Sequence, residues 1–167
     1  PWNQLNETGT EGIKDFAFNH NEKRFASIED YSAIKVFDYD NVTEKFVLTQ
    51  VIQPNDVAAA QSIAINHNGD QLLLGGTDGN SPVLELWQLS PDGQNKTFVK
   101  ALSSSGNSTF KQVAFSKDNQ QIFAVTEEGV LVSWKMPTFE KKETRLIGNN
   151  GDSIYRAAFS PDRKILM

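Results

Sequence analysis

An all-β chain made of three copies of one four-stranded antiparallel unit and the start of a fourth is what this sequence predicts, on three observations. A nine-residue pattern returns four times, at Ile13–Asn21, Ala60–Asn68, Phe110–Asp118 and Ile154–Asp162. Its last apolar residues, Phe18, Ile65, Phe115 and Phe159, lie 47, 50 and 44 residues apart, the length of a four-stranded repeat. An aromatic residue closes a later segment of each complete copy, Phe37, Trp87 and Trp134, at 19, 22 and 19 residues past its anchor. Two markers therefore give the same register independently, and no window carries the 3.6-residue apolar period of a helix.

Taken in order, the first unit reads as strands near Ile13–Phe18, Arg24–Ile28, Ala33–Phe37 and Lys45–Ile52. The second offers Gln61–Ile65, Gln71–Gly75, Val83–Trp87 and Thr97–Leu102, and the third Lys111–Phe115, Gln121–Val125, Val130–Trp134 and Lys142–Ile147. The middle unit is longer because of extra residues in Thr77–Pro82, a turn-rich stretch where insertion costs little. The expected units are residues 13–53, 54–104 and 105–150, with 151–167 as the first hairpin of a further unit. Residues 1–12, beginning Pro1-Trp2-Asn3-Gln4-Leu5, read as the end of a preceding unit or a linker.

Leu72-Leu73-Leu74 and Ile122-Phe123-Ala124-Val125 are apolar on consecutive residues. An unbroken apolar strand belongs to a sheet covered on both faces, whereas a two-sheet sandwich predicts stricter alternation. Ala17, Ala64, Ala114 and Ala158 recur at one repeat position, which fits a narrow space where successive units converge. Four-stranded units covered on both faces fan around an axis, so the expected architecture is a β-propeller and each unit a blade. A seven-bladed ring needs roughly 300 residues. The 167 residues are therefore expected to be a fragment of such a ring, or half of one built from two copies.

Phe115-Ser116-Lys117-Asp118-Asn119 and Phe159-Ser160-Pro161-Asp162-Arg163 resemble the inner-strand hairpin of the WD-repeat family, and the resemblance runs from about residue 12 onward. Leu86-Trp87-Gln88, Ser133-Trp134-Lys135 and Phe37-Asp38 sit where that family carries its Trp-Asp pair. The family's Gly-His pair is replaced by Gly148-Asn149-Asn150-Gly151 in one unit, and the Trp-Asp pair is never intact. That departure predicts stability resting on apolar packing between blades. The resemblance implies a protein-interaction scaffold whose loops converge on one face of a rigid frame. Contact positions implied by it are Lys14, Gln61, Lys111 and Tyr155, just inside each inner strand. Asp30, Tyr31, Asp78, Glu127 and Glu128 follow in the turns between second and third strands. Tyr31 and Tyr155 are the favoured anchors, because aromatic residues dominate interface hot spots.

Composition limits the partners. With 38% hydrophobic and 22% charged residues the chain is that of a folded protein. Its net charge of −5 comes without a basic stripe, so nucleic acid is not expected as a partner. No apolar run approaches the roughly 20 residues of a membrane span, and no signal segment opens the chain; the expected setting is soluble and cytoplasmic. Cysteine is absent, which removes disulfides, thiolate nucleophiles and Cys-based metal sites. Asn-x-Ser/Thr triplets begin at Asn6, Asn41, Asn95 and Asn107, and are attributed to the abundance of Asn and Thr.

Candidate chemistry is sparse. His20 and His67 occupy equivalent turns of adjacent units, but a metal site needs three or four ligands, and the matching later positions are Lys117 and Pro161. Both are read as polar turn residues. Asp78-Gly79-Asn80 with Asp70 or Asp92 lacks the alternating ligand pattern of a calcium loop, so ordinary turn chemistry is expected. There is no Gly-x-Ser-x-Gly, phosphate-binding Gly-Lys loop or His-Glu-x-x-His. Ser103-Ser104-Ser105-Gly106 has no neighbouring base in sequence, and Glu127-Glu128 reads as a solvated turn. The chain is thus expected to be non-enzymatic, without metal or cofactor. The alternative is a propeller hydrolase or lyase, or a small-ligand binder in the central channel. Three or more ionisable residues converging on a closed pocket would favour it.

Overall fold

The computed structural model describes residues 12–29, 33–92, 95–146, 153–154, 157–158 and 160. Every regular element among them is a strand. The first four are β1 (Ile13–Phe18), β2 (Arg24–Glu29), β3 (Ile34–Asp40) and β4 (Lys45–Ile52). Next come β5 (Ala59–Ile65), β6 (Gln71–Thr77), β7 (Pro82–Leu89) and β8 (Lys96–Ser103). The last are β9 (Phe110–Phe115), β10 (Gln121–Thr126), β11 (Val130–Lys135) and β12 (Glu140–Arg145). They form three antiparallel sheets in which consecutive strands are neighbours: sheet 1 from β1–β4, sheet 2 from β5–β8 and sheet 3 from β9–β12.

Turn chemistry sets the hairpins. In the β5–β6 turn the Asn66 Oδ1 accepts from the N–H groups of Gly69, Asp70 and Gln71 at 2.9, 3.0 and 3.0 Å. Asn19 Oδ1 accepts from Arg24 N at 3.0 Å and Ser116 Oγ from Gln121 N at 2.9 Å in the matching turns. A side-chain oxygen at the first turn position thus replaces a backbone acceptor, which is why Asn or Ser recurs there. Each of these turns has one left-handed residue at the same repeat position: Glu22 (φ 58°), Gly69 (φ 82°) and Asn119 (φ 57°). The last strand differs from the sequence expectation. It begins at Glu140 instead of Lys142 and ends at Arg145, because the turn through left-handed Phe139 (φ 58°) is short enough to pair Glu140 with Lys135.

Two apolar seams hold the sheets side by side. In the first seam Ala26, Ile28, Ile34, Val36 and Ile52 of sheet 1 meet Ile63, Ile65, Leu72, Leu74, Val83 and Trp87 of sheet 2. In the second, Ala64, Leu73, Leu84, Leu86 and Leu102 of sheet 2 meet Phe110, Val113, Phe115, Ile122, Ala124 and Trp134 of sheet 3. Leu72 and Leu74 therefore point into one seam and Leu73 into the other, which accounts for the unbroken apolar run. Each such side chain removed from water contributes about 1.5–3 kcal/mol. Sheets approach closely here, since a methyl group added at Gly75 would sit 2.3 Å from Val113 Cγ1. Ala17 packs against the first seam and Ala64 lies in the second, Ala114 is buried outside both, and Ala158 is exposed, so the four recurring alanines do not share one environment.

Polar stitches cross both seams at one repeat position. Asp15 Oδ2 accepts from Ile63 N at 2.9 Å, and Ser62 Oγ accepts from Val113 N at 3.2 Å. Arg24 adds a strap to the first seam: it pairs with Asp38 through Nε (2.5 Å) and Nη2 (2.9 Å), and its Nη1 reaches the Gly69 carbonyl at 2.7 Å. Apolar packing is thus joined by buried charge, where the sequence predicts stability resting on apolar packing between the units. No helix among the described residues is long and apolar enough to cross a membrane.

Candidate functional site

The inner strands share an irregularity that the sequence does not announce. Between β1 and β2 the pairing passes from Ile13–Glu29 to Asp15–Ile28 and skips Lys14. Between β5 and β6 it passes from Ala60–Gly76 to Ser62–Gly75 and skips Gln61. Between β9 and β10 it passes from Phe110–Thr126 to Gln112–Val125 and skips Lys111. A bulge of this kind leaves one residue outside the ladder and re-aims its side chain. Three of the expected contact positions are therefore the bulged residues of their strands. Lys14 and Gln61 are exposed and Lys111 is half-buried.

The turns joining second to third strands lie at the same end as the bulges. Asp78 is exposed, and its Oδ1 accepts from Asn80 N and Ser81 N, each at 2.7 Å. The N–H of Ser81, then that of Asn80, hold its carboxyl below the usual aspartate range. Lys111 Nζ lies 3.4 Å from Glu127 Oε2, so that lysine is tied to its own sheet, while Glu128 is exposed. The structure thus brings Lys111, Glu127 and Glu128 to one corner of the rim, with Lys14, Gln61 and Asp78 at equivalent places of the other sheets. Asp30, Tyr31 and Tyr155 lie outside the described residues.

Two carboxylates that the sequence reading passed over fix the connectors at this rim. Glu85, fully buried on β7, accepts through Oε1 from the N–H groups of Asn55 (2.7 Å), Asp56 (2.5 Å) and Val57 (2.9 Å). Its Oε2 accepts from Trp87 Nε1 at 2.8 Å. The connector from sheet 1 to sheet 2 is thereby wrapped around one carboxylate. A lone charge inside Pro82–Leu89, an otherwise apolar run apart from Gln88, was the available signal. Glu143 on β12 does the matching work for the next connector, accepting from Ser104 Oγ (3.0 Å) and Ser105 Oγ (3.3 Å). The serine loop therefore does have a carboxylate beside it, brought in from 38–39 residues away. A hydrogen bond from Lys141, aided by Ser104, holds the Glu143 carboxyl below its usual range, which makes it a poorer proton acceptor.

The opposite end carries the remaining candidates. The His20 and His67 rings stack across the first seam with centroids 4.1 Å apart and planes 21° from parallel. Lone pairs in nearly parallel, offset planes do not converge on one ion. Among the described residues no group of three or more His, Cys, Asp or Glu is placed to hold a metal. Asp70 and Asp92 flank turns at this end, a full strand away from Asp78, so the three do not form one cluster. An open recess of about 210 Å³ lies beneath the Arg24 strap, lined by Asn21, Lys23, Asp38, Asn68, Asp70 and Pro91 among others. Its charged groups are engaged within the fold: Lys23 with Asn41 (3.2 Å), Asp70 with Asn66 (2.7 Å), and Arg24 with Asp38.

No protein-family model matches the chain, and no curated protein matches it.

Proposed function

We propose that the three sheets are blades of a WD-type β-propeller, completed by further blades from the same or another chain, and that the chain is a non-enzymatic scaffold for protein partners in the cytoplasm. The observation that carries this reading is the repeated bulge. One residue per inner strand is lifted out of the ladder at the same rim, beside connectors anchored by Glu85 and Glu143. Side chains presented from a rigid frame lose little freedom on binding, and this favours recognition over chemistry. Lys14, Gln61, Asp78, Lys111 and Glu128 form the proposed contact surface, joined by Asp30, Tyr31 and Tyr155. No cofactor has a part in this reading.

A rim variant tests it. Lys14→Glu, Gln61→Ala and Lys111→Glu together leave the seams untouched, so the β-sheet circular dichroism and unfolding midpoint should stay close to those of the parent. Affinity capture with parent and variant chains should then differ, with specific protein partners retained by the parent and lost from the variant. Identical retention by both chains, or a small-molecule turnover activity that survives in the variant, would remove the scaffold reading.

A further inference from the structure

We infer that the recess beneath the Arg24 strap is a binding site for a small zwitterion, a free α-amino acid of about the size of alanine. Four charged residues line it, and two of them cancel: Arg24, only 6% exposed, is paired with Asp38 through both Nε and Nη2. The other two keep their charge. Lys23 Nζ donates to the neutral Asn41 Oδ1 at 3.2 Å, and Asp70 Oδ1 accepts from the neutral Asn66 amide at 2.7 Å. Lys23 and Asp70 share the recess, yet among the described residues neither stands in an ion pair, with the other or with any third group.

A buried donor is left open beside them. Asn19 is 6% exposed and its Oδ1 is used by Arg24 N, but its Nδ2 has no partner among the described residues. That nitrogen lies against Gly69, where an added methyl group would sit 2.7 Å from it, so the left-handed glycine (φ 82°) keeps the space open. In the two equivalent turns the corresponding donor is used: Asn66 Nδ2 donates to Asp70 Oδ1, and Ser116 Oγ to Asp118 Oδ1 at 2.6 Å. In the first turn Lys23 takes the repeat position of Asp70. The repeat itself does not require this arrangement. At the second seam the positions equivalent to Lys23 and Asp70 are Asp70 and Gln120, which cannot oppose two charges.

A carboxylate accepting from Lys23 Nζ and Asn19 Nδ2, joined to an ammonium that donates to Asp70 Oδ2, engages all three open groups. An anion alone would leave Asp70 uncompensated, and a cation alone would leave Lys23 so. The recess of about 210 Å³ has the liquid volume of about seven waters, below the roughly 300–1,000 Å³ of sites for larger ligands. Glycine, alanine and serine are therefore the expected size class.

The recess lies at the end opposite the bulged rim, so this inference is independent of the partner-binding reading. Titrating alanine into the isotope-labelled chain should shift the side-chain amide resonances of Asn19 and Asn68 saturably. N-acetylalanine, which lacks the ammonium, and alaninamide, which lacks the carboxylate, should each bind about tenfold or more weakly. Lys23→Gln and Asp70→Asn should cause the same loss for alanine with unchanged β-sheet circular dichroism, because neither side chain is buried. Should either variant lose that signature, the two capped analogues on the parent chain decide the matter. Absence of a saturable shift from alanine overturns the inference. So do equal shifts from acetate or inorganic phosphate, which mark a plain anion site, and undiminished alanine binding by either folded variant.

Discussion

The two seams solve the same geometric problem with different chemistry. At the first, charge is committed: a fully buried Glu85 gathers three backbone N–H groups and an indole, Arg24 spans to the neighbouring turn, and the stitch is the carboxylate of Asp15. At the second, the stitch is the hydroxyl of Ser62, and the connector is held by Glu143, whose side chain is 30% exposed. Apolar packing is comparable in the two, and Phe110 and Trp134 meet edge to face at 6.0 Å in the second. The difference lies in how much each polar group loses if its partner disappears. A buried charge with every lone pair used is expensive to break, whereas a half-exposed one can turn to water.

That contrast orders the expected effects of substitution. Glu85→Ala should be the most damaging, because it leaves four donors without their acceptor, those of Val57 and Trp87 being buried; a loss of about 3–5 kcal/mol is expected in urea unfolding. A loss below about 1 kcal/mol would show that water reaches the connector and that the seam is not dry. Arg24→Met keeps the apolar stem but leaves Asp38 and the Gly69 carbonyl without their cation, and should cost about 2–3 kcal/mol. Asp38 retains its hydrogen bond from Thr49 Oγ1 at 2.9 Å, which keeps this change below that of Glu85. Ser62→Ala removes one neutral stitch and should cost about 1 kcal/mol, read from the same unfolding curves.

Glu143→Gln should be mildest, under about 1 kcal/mol at neutral pH, since the pair with Lys141 at 3.0 Å is partly solvated. Its pH dependence sharpens the comparison. The folded-state carboxyl titrates below its ordinary range, so its contribution is complete above the unfolded value and disappears as pH falls through the folded one. The stability gap between parent and Glu143→Gln should therefore be constant above about pH 5 and close as the solution is acidified below about pH 4. A gap that widens in acid would contradict the assigned hydrogen bonds.

Much of this architecture was legible in the sequence, for reasons that particular residues make plain. Phe18, Ile65 and Phe115 mark strand ends because an apolar residue followed by Asn or Ser is both a core position and the opening of a side-chain-capped turn. Leu72-Leu73-Leu74 declared two-sided burial because no exposed strand tolerates it. The start of β12 was misplaced because Glu140-Lys141-Lys142-Glu143 has no apolar pattern to locate it; only its ladder to β11 does. The same uniformity hid Glu143, one charge among several. Glu85 was more visible, a single carboxylate among apolar neighbours, but its partners are backbone groups nearly thirty residues earlier that no side chain announces. The bulges could not be read at all, because Lys14, Gln61 and Lys111 differ from their neighbours only in cross-strand pairing.

Those three skipped residues have a consequence for how such a surface changes over time. Each stands outside the ladder, so replacing it disturbs no backbone pair on either side. Surface identity can then drift or be redesigned one sheet at a time, while the register that the fold depends on is kept by Asp15, Ser62 and Gln112 immediately after. In each inner strand a position free of ladder pairing thus stands directly beside one that fixes the register.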